Sequence, residues 1–479
     1  MPSIIDDPRI KKKCQIFTPA DVVNRMLDMA GYNQLEYGKS VLENSCGDGG
    51  FLYPIVERYI RRALENNIGK RQIRCGLERD IVAYDVDRVL VKLCKKRLNR
   101  ILSKYGVGKV KWNIQCRSFL SADEKRTYDF VVGNPPYIAY PDLPAEEQKY
   151  LRENFLSCKK GKFDYSYAFI EKSYKLLANG GCLVYIIPTN IFKNVFAEPL
   201  RELFKSDLTE IVDFPQDRIF EKALVSPAII KIVKGSCQDF IHYTISTDGE
   251  DAKKEEITKA SLSKKWVFKT ENKTGRRVCE FFKVANTLAT LCNDVFVLKN
   301  GTMNGDCYFF DNHKIEATLL KKTSSPKSKK YARDSEYIIF PYHFGNAGVL
   351  LKYTEDEMYQ KFPGAMQYLE KFKEKLTSRD ADNSAKWYEY GRSQALQDMG
   401  REMIMISSII SDCTKAYLLG KDEIPYSGLY IIPTGQIGLN VLLEKLNSDS
   451  FRDYIKNVGI SVSGTSKRIT ANDISAFLF

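Results

Sequence analysis

The feature that most constrains the fold is an alternation of apolar strands and helices between Ser40 and Gly235. Strands are predicted from apolar runs at 40–46, 81–85, 110–119, 128–133 and 182–188. Helical patterns fill the gaps, for example at 87–105 and 165–178. Such βαβ units place parallel strands side by side through right-handed crossovers. The sequence therefore predicts an α/β domain with a doubly wound, Rossmann-like sheet.

A break in this rhythm near Gly235 predicts a domain boundary. The chain has 479 residues, which is too long for one ordinary core. A polar, weakly periodic stretch follows Gly235, so we predict one domain over 1–238 and a second over 239–479. Mixed strand and helix patterns predict an α+β fold for the second domain. Within it, KKTSSPKSKK at 321–330 is interpreted as a disordered basic loop.

Charge and cysteine usage narrow the function classes. Lysine and arginine number 73 against 60 acidic residues, a net charge of +13 that favours an anionic partner such as nucleic acid. A surface rich in solvated lysine would have the same charge. The 12 cysteines form no C-x-x-C pair, so neither a zinc site nor a disulfide framework is predicted. No apolar run is long enough to span a bilayer and no signal core opens the chain, which predicts a cytoplasmic protein.

The turn NPPY at 134–137 ends one of the predicted strands. Asn134 offers a side-chain carbonyl, Pro135 and Pro136 lack backbone N–H donors, and Tyr137 offers an aromatic face. A nest of acceptors beside a ring suits a planar group that carries an exocyclic amine. The simpler alternative is a Pro-Pro turn with an ordinary surface tyrosine.

Two further strand ends carry acidic residues. The glycine turn in LENSCGDGGFL at 42–52 is flanked by carboxylates and matches neither the dinucleotide pattern nor a P-loop. Carboxylates suit a cationic amine or sulfonium, and S-adenosylmethionine carries both. Asp85 ends the second strand, where it can accept hydrogen bonds from ribose hydroxyls, and Val86 can lie on an adenine face. A common strand-to-helix turn and a helix-capping aspartate are the alternatives.

Six motifs in fixed order resemble the gamma-class N6-adenine DNA methyltransferases, the group that includes the TaqI methyltransferase. They are QIFTP at 15–19, LENSCGDGGFL at 42–52, AYDVD at 83–87, RSFL at 117–120, NPPY at 134–137 and RIFEKALVSPAII at 218–230. The resemblance implies methyl transfer from S-adenosylmethionine to the N6 amine of a flipped-out adenine in duplex DNA, with no metal.

The resemblance also implies residue roles. Asn134, Pro135 and Tyr137 would be catalytic, and Tyr137 and Phe220 would stack on the extruded base. The cofactor would contact Thr18, Glu43, Asn44, Cys46, Gly47, Asp85, Val86, Ser118, Phe119 and Asn134. Two positions depart from the family pattern: Asn44 stands where the family usually has proline, and Ser118 where it usually has aspartate.

The second half resembles a target-recognition domain more loosely. Its candidate DNA contacts are Trp387, Arg392, Lys467 and Arg468, although Trp387 could equally be core, and Lys467 and Arg468 solvated surface. The resemblance implies a prokaryotic or phage restriction-modification methylase or a solitary methylase, with a separate restriction endonuclease as a candidate partner. An RNA adenine or protein glutamine methyltransferase, or an inactive DNA-binding relative, are the alternatives.

Overall fold

The structure divides the chain into two compact units. A computed structural model describes residues 17–33, 37–214, 226–247, 250–251, 254–268, 275–332, 336–345, 349–463 and 465–479. The first unit comprises residues 1–268 and the second residues 269–479. In the described part of the chain, no helix has the length and apolar character that crossing a membrane requires.

One large sheet organises the first unit. Its strands are β1 (Val41–Glu43), β2 (Ile81–Asp85), β3 (Asn113–Cys116), β4 (Tyr128–Gly133), β5 (Leu177–Pro188), β6 (Leu208–Asp213), β7 (Pro227–Val233), β8 (Phe240–Thr247), β9 (Glu250–Asp251) and β10 (Glu255–Thr258). They are ordered β10-β8-β6-β7-β5-β4-β1-β2-β3, with β9 paired to β8. Strands β1 to β5 are parallel, whereas β7 runs antiparallel to both β5 and β6.

Helices connect the parallel strands. They are α1 (Ala20–Met29), α2 (Leu52–Glu65), α3 (Lys70–Asp80), α4 (Arg88–Tyr105), α5 (Ala145–Asn154), α6 (Ser166–Lys175), α7 (Asn190–Lys193) and α8 (Glu198–Phe204). Asp87 caps α4 by accepting hydrogen bonds from the backbone N–H groups of Val89 and Leu90. Gly106, in the left-handed region at φ +63°, ends the helix.

Both faces of the sheet are buried, as a doubly wound fold requires. Neighbouring residues of a strand point to opposite faces. In β1, Val41 joins the core under α1 to α4, while Leu42 joins the core under α5 to α8. Residues of β2 alternate in the same way, with Ala83 in the first core and Val82 in the second. The predicted doubly wound α/β fold is thereby confirmed.

The first unit extends past the predicted boundary at 238. Strand β8 pairs in parallel with β6, and β10 pairs with β8, so both belong to the large sheet. Trp266 is fully buried and stacks on Phe192 of α7. The polar stretch that suggested a boundary is therefore the edge of the sheet, where one face of each strand meets solvent.

The start of α1 differs from the sequence prediction in one respect. The pattern predicts Thr18 as N-cap and Pro19 as the first helical residue. Instead α1 begins at Ala20, and Pro19 is the N-cap without a side-chain hydrogen bond. The Thr18 hydroxyl is engaged elsewhere, with Asn134.

The second unit is an α+β domain with its own core. Its strands are Phe282–Asn286, Val297–Leu298, Thr302–Asn304, Cys307–Phe310, His313–Glu316, Leu320–Ser324, Tyr337–Ile339, Tyr342–Phe344, Leu350–Lys352, Met403–Ile406, Ile409–Ile410, Tyr417–Leu419, Glu423–Pro425, Leu429–Pro433, Ile460–Ser463 and Ser466–Arg468. Its helices are Asn293–Phe296, Pro326–Lys330, Glu355–Lys361, Pro363–Glu370, Lys373–Thr377, Leu439–Leu446, Asp449–Val458 and Ala471–Ser475. The segment KKTSSPKSKK is not a disordered loop, since Leu320–Ser324 and Pro326–Lys330 account for most of it.

Candidate active site

Three strand ends meet where the strand order of the sheet reverses. Strand β1 lies between β2 and β4 and is parallel to both, so the three carboxyl ends share one edge. Glu43 ends β1, Asp85 ends β2, and Asn134 follows β4. Open α/β sheets bind their ligands at this kind of switch point.

A cavity of about 800 Å³ lies over these strand ends. All but one of the predicted cofactor residues line it; the exception is Glu43. The lining residues among them are Thr18, Asn44, Cys46, Gly47, Asp85, Val86, Ser118, Phe119 and Asn134. The structure thus brings together side chains that are more than a hundred residues apart in the chain.

The glycine turn after β1 is held against β2. The backbone N–H of Gly47 donates a 2.7 Å hydrogen bond to Oδ2 of Asp85, and Arg97 of α4 forms an ion pair with Asp48. Gly49 adopts φ +92°, and a Cβ there would lie 2.8 Å from Sγ of Cys94. Only glycine fits this position, because a side chain would be strained and would clash with α4.

Glu43 lies beneath the cavity rather than on its wall. It is 1% exposed, and its Oε1 accepts a 3.3 Å hydrogen bond from the backbone N–H of Ser45. Oε2 is buried and has no hydrogen-bond partner among the described residues. Burial raises the pKa of Glu43 well above its ordinary value, and the nearby charge of Asp85 raises it further. Burial also raises the pKa of Asp85, against the opposing effect of its backbone hydrogen bonds.

Thr18 fixes the orientation of the Asn134 carboxamide. Nδ2 of Asn134 donates a 3.2 Å hydrogen bond to Oγ1 of Thr18. Because the two arms of an amide diverge, Oδ1 points away from Thr18, and this oxygen is buried.

Gly133 precedes Asn134, and a Cβ there would lie 2.7 Å from Oε1 of Glu43. The carboxylate of β1 therefore packs directly against the base of the NPPY turn.

The other two predicted catalytic residues continue the same turn but do not line the cavity. Pro135 is buried, and Tyr137 is half-buried. The Tyr137 hydroxyl donates to the backbone carbonyl of Ile186 in β5. Burial raises the pKa of this phenol well above its ordinary value, so it remains a neutral donor. Its ring is therefore anchored at the hydroxyl end.

A buried polar network joins the glycine turn to the NPPY turn. Asn44 is 2% exposed, and its Nδ2 donates to Oγ of Ser173, at 2.8 Å, and to the hydroxyl of Tyr185. The next residue, Ser45, donates from Oγ to the backbone carbonyl of Asn134 at 3.0 Å. Where the family usually has proline, this chain therefore has a carboxamide that binds α6 and β5.

Sequence reasoning missed several residues at the cavity. Arg97, Arg117, Glu147, Tyr150 and Tyr165 line it, and burial raises the pKa of Glu147. The last three come from the excursion between β4 and α6, whose sequence carries no ligand-binding pattern. The Ser45 contact was equally hidden, because it depends on where a backbone carbonyl 89 residues away is placed. Phe220, the predicted second stacking residue, lies outside the described residues.

The four candidate DNA contacts of the second unit differ in whether their side chains already bind other residues of the unit. Trp387 donates from Nε1 to Glu355, and Arg392 forms ion pairs with Asp380 and Asp382, so both are used within the unit. Nζ of Lys467 donates a 2.7 Å hydrogen bond to Oγ of Ser461. Arg468 is exposed at the end of its strand.

Known proteins resemble this chain in sequence and fold. Residues 69–220 match the model of the Eco57I restriction-modification methylase family. The type II restriction enzyme and methyltransferase RM.Eco57I of Escherichia coli is 24% identical over 329 residues, covering 60% of this chain but only 33% of that enzyme. The type II methyltransferase M.BstVI of Geobacillus stearothermophilus is 23% identical over 519 residues, covering 95% of this chain and 88% of that protein.

The type IIL restriction-modification enzyme MmeI, solved in complex with DNA, has the same fold. It superposes with a TM-score of 0.55 at 13% identity, over 95% of this chain and 63% of that chain. The family match at 69–220 runs from α3 to β6 and includes the NPPY turn, whereas Thr18, Glu43 and the glycine turn precede it. Over this segment, which carries Asp85 and Asn134, the chain resembles the Eco57I restriction-modification methylases.

Proposed function

We propose that this chain transfers a methyl group from S-adenosylmethionine to the N6 amine of an adenine in duplex DNA. The observation that carries the proposal is the orientation of Asn134. Its carboxamide is held by Thr18 on the wall of the cavity that also contains Asp85 and the glycine turn. A carbonyl that can hold an amine therefore shares one cavity with groups that can hold a methyl donor.

The residues present fit S-adenosylmethionine, which would supply an electrophilic methyl group on a sulfonium. The buried Oε2 of Glu43 needs a donor, and the cationic amine of the methionine part would provide one. Asp85 would accept hydrogen bonds from the ribose hydroxyls. Val86 and the buried Phe119 would enclose the adenine ring, and the Ser118 hydroxyl lies beside them on the cavity wall.

The chain's own groups then act on the target amine. Oδ1 of Asn134 and the backbone carbonyl of Pro135 accept its two N–H groups and stabilise the positive charge that develops on nitrogen. No general base is required, because the methylated cation is acidic enough to lose its proton to water. The anchored ring of Tyr137 stacks on the base, and Phe220 is the proposed second face. Stacking offsets the cost of extruding the base from the duplex.

The second unit, together with the end of the first, would read the DNA sequence. Transfer of a single base into a catalytic domain gives no site selectivity, so groove contacts must come from elsewhere. Among the four candidates, Arg468 is the most available side chain, because Trp387 and Arg392 already have partners within the unit. A separate restriction endonuclease is the proposed partner in the cell.

The proposal is tested by following radiolabelled methyl groups from S-adenosylmethionine into three substrates. We expect incorporation into duplex DNA as N6-methyladenine and none into RNA or a glutamine peptide. Label in RNA or in the peptide alone would mean that the NPPY turn binds the amine of an RNA adenine or of a glutamine side chain. No label in any of the three would point to an inactive DNA-binding relative.

The raised pKa of Glu43 predicts that cofactor binding releases a proton. In the free protein, the raised pKa makes its stability fall as pH rises from the unfolded value of Glu43 through the folded one. A bound cation would favour the ionised carboxylate and lower this pKa. We therefore expect cofactor affinity to rise with pH across the same window.

Calorimetry between pH 5 and 8 measures this release. The apparent binding enthalpy should differ between two buffers of unlike ionisation enthalpy, and Glu43→Gln should remove the difference. Equal enthalpies in both buffers for the unmodified protein would mean that binding does not change the protonation of Glu43, which would contradict the prediction.

A further inference from the structure

A lysine-rich turn lies beside the NPPY turn. The lysine turn, residues 159–162, has the sequence Lys-Lys-Gly-Lys, and its three lysine side chains are exposed. No carboxylate in the described part of the chain forms an ion pair with these ammonium groups. Three neighbouring positive charges that are not neutralised locally repel one another, so they destabilise the free protein slightly.

The backbone of the lysine turn is hydrogen-bonded to a side chain of helix α5. Arg152 of α5 donates to the carbonyls of Lys159, at 3.1 Å, and Gly161, at 3.0 Å. The Arg152 guanidinium also lies over the ring of Tyr140, 4.8 Å from its centroid. This half-buried arginine-aromatic contact supports the turn from α5, so the three lysines project from a backbone that is hydrogen-bonded to the helix.

The second side of the turn is closed by Phe196. Gly161 adopts φ +73°, and a Cβ there would lie 1.9 Å from Cδ1 of Phe196. Glycine is therefore required, because the ring packs directly on the backbone of residue 161. Phe196 is still 39% exposed, which leaves an apolar surface next to the lysines.

The residues that follow the lysine turn pair with the residues that follow the NPPY turn. Ala139 and Asp164 form an antiparallel bridge, and the N–H of Tyr165 donates to the carbonyl of Ile138 at 2.9 Å. Only Phe163 lies between Lys162 and Asp164, so the two are at most roughly 7 Å apart along the chain. The lysine turn therefore lies next to the segment that leaves the NPPY turn, close to where, under the proposed function, the strand carrying a target base would run.

We propose that the lysine turn binds backbone phosphates of the target strand next to the extruded base. This inference rests on the proposed function. Lysine ammonium groups bind phosphates as point charges without reading sequence, which suits a catalytic unit that serves a separate recognition domain. The exposed face of Phe196 would lie against the adjoining sugar. The lysine turn would thus hold the strand while the base is turned into the site.

The test combines the substitutions Lys159→Gln, Lys160→Gln and Lys162→Gln in one variant. Affinity for a duplex containing the methylated site should fall at least about tenfold at 0.1 M salt, and the slope of log K against log salt should shrink by about 2 to 3 units. The matched control replaces Lys109, Lys111 and Lys125 with glutamine. These lysines precede β3 and β4, so they lie at the amino-terminal ends of the strands, opposite the end that carries the NPPY turn. Their replacement removes the same three positive charges.

Three readouts separate the outcomes. The Kd for S-adenosylmethionine should stay unchanged, and the KM for DNA should rise with little change in kcat at saturating DNA. Wild-type affinity and salt slope in the variant, or an equal loss in the control, would overturn the phosphate role. The proposed function fails only if the unmodified protein transfers no methyl group to duplex DNA, so the two failures are distinct.

Discussion

Replacing Asn134 with alanine should lower the methyl-transfer rate by about 10²- to 10³-fold, the range found when a single preorganised polar contact to a transition state is removed. The carboxamide is the only side chain in the NPPY turn that offers a carbonyl oxygen. Its orientation is set by the Nδ2 bond to Thr18, so it needs no rearrangement during the reaction. Binding of S-adenosylmethionine should remain close to wild type.

Single-turnover methylation and calorimetric cofactor binding, measured on the same preparation, check this prediction. Thr18→Val provides a graded comparison, because it removes the acceptor for Nδ2 but keeps the carboxamide. We expect an intermediate loss of rate from a carboxamide that has lost this one orienting contact. If Asn134→Ala weakened methyl transfer and cofactor binding equally, Asn134 would be a cofactor ligand rather than the amine acceptor.

The strands that position the site could be predicted closely from the sequence. The predicted runs 81–85 and 128–133 coincide with β2 and β4. Both are apolar, buried on two faces and bounded by charged or glycine residues. The apolar pattern and the residues at its ends therefore predict the same strand limits. Because parallel strands align their carboxyl ends, the meeting of the glycine turn, Asp85 and Asn134 followed from order alone.

Contacts that depend on tertiary placement could not be predicted. Thr18 carries a good N-cap pattern, yet its hydroxyl meets Asn134, 116 residues away. Local sequence propensity favours Thr18 as the N-cap, but it carries no information about a hydrogen-bond partner that follows another strand. The lysine turn could not be singled out for the same reason, since the role proposed for it depends on the pairing of the nearby Asp164 with Ala139.

The segment KKTSSPKSKK shows a missed local signal. Ser325 caps the helix Pro326–Lys330 by accepting from the N–H of Ser328, and Pro326 occupies the first helical position. Strand Leu320–Ser324 pairs in parallel with Glu423–Pro425. Lysine content suggested disorder, although the Ser-Pro pair was a readable helix start. Two of the buried residues of this strand, Thr323 and Ser324, are polar and so gave no apolar pattern.

The second large effect concerns Asp85, whose replacement by asparagine should weaken cofactor binding about 100-fold. Hydrogen bonds to a charged group contribute about 1.5–3 kcal/mol each, and two ribose hydroxyls would lose their carboxylate acceptor. Asp85 also holds the site together, because Oδ2 accepts from Gly47 and Oδ1 accepts from the N–H of Asp87 at 2.8 Å. An amide can accept only one of these two bonds, so the glycine turn would loosen as well.

Equilibrium binding of S-adenosylmethionine checks this prediction, with Glu78→Gln as the control. Glu78 lies at the far end of α3, where it accepts from the N–H of Lys111, and its replacement removes the same charge away from the cavity. At saturating cofactor, Asp85→Asn should methylate DNA within about tenfold of the wild-type rate, because the proposed amine acceptors in the NPPY turn are untouched. A collapse of that rate at saturation would mean that Asp85 acts on the reaction itself. Unchanged binding would remove the ribose contact and leave Asp85 only its support of the turn.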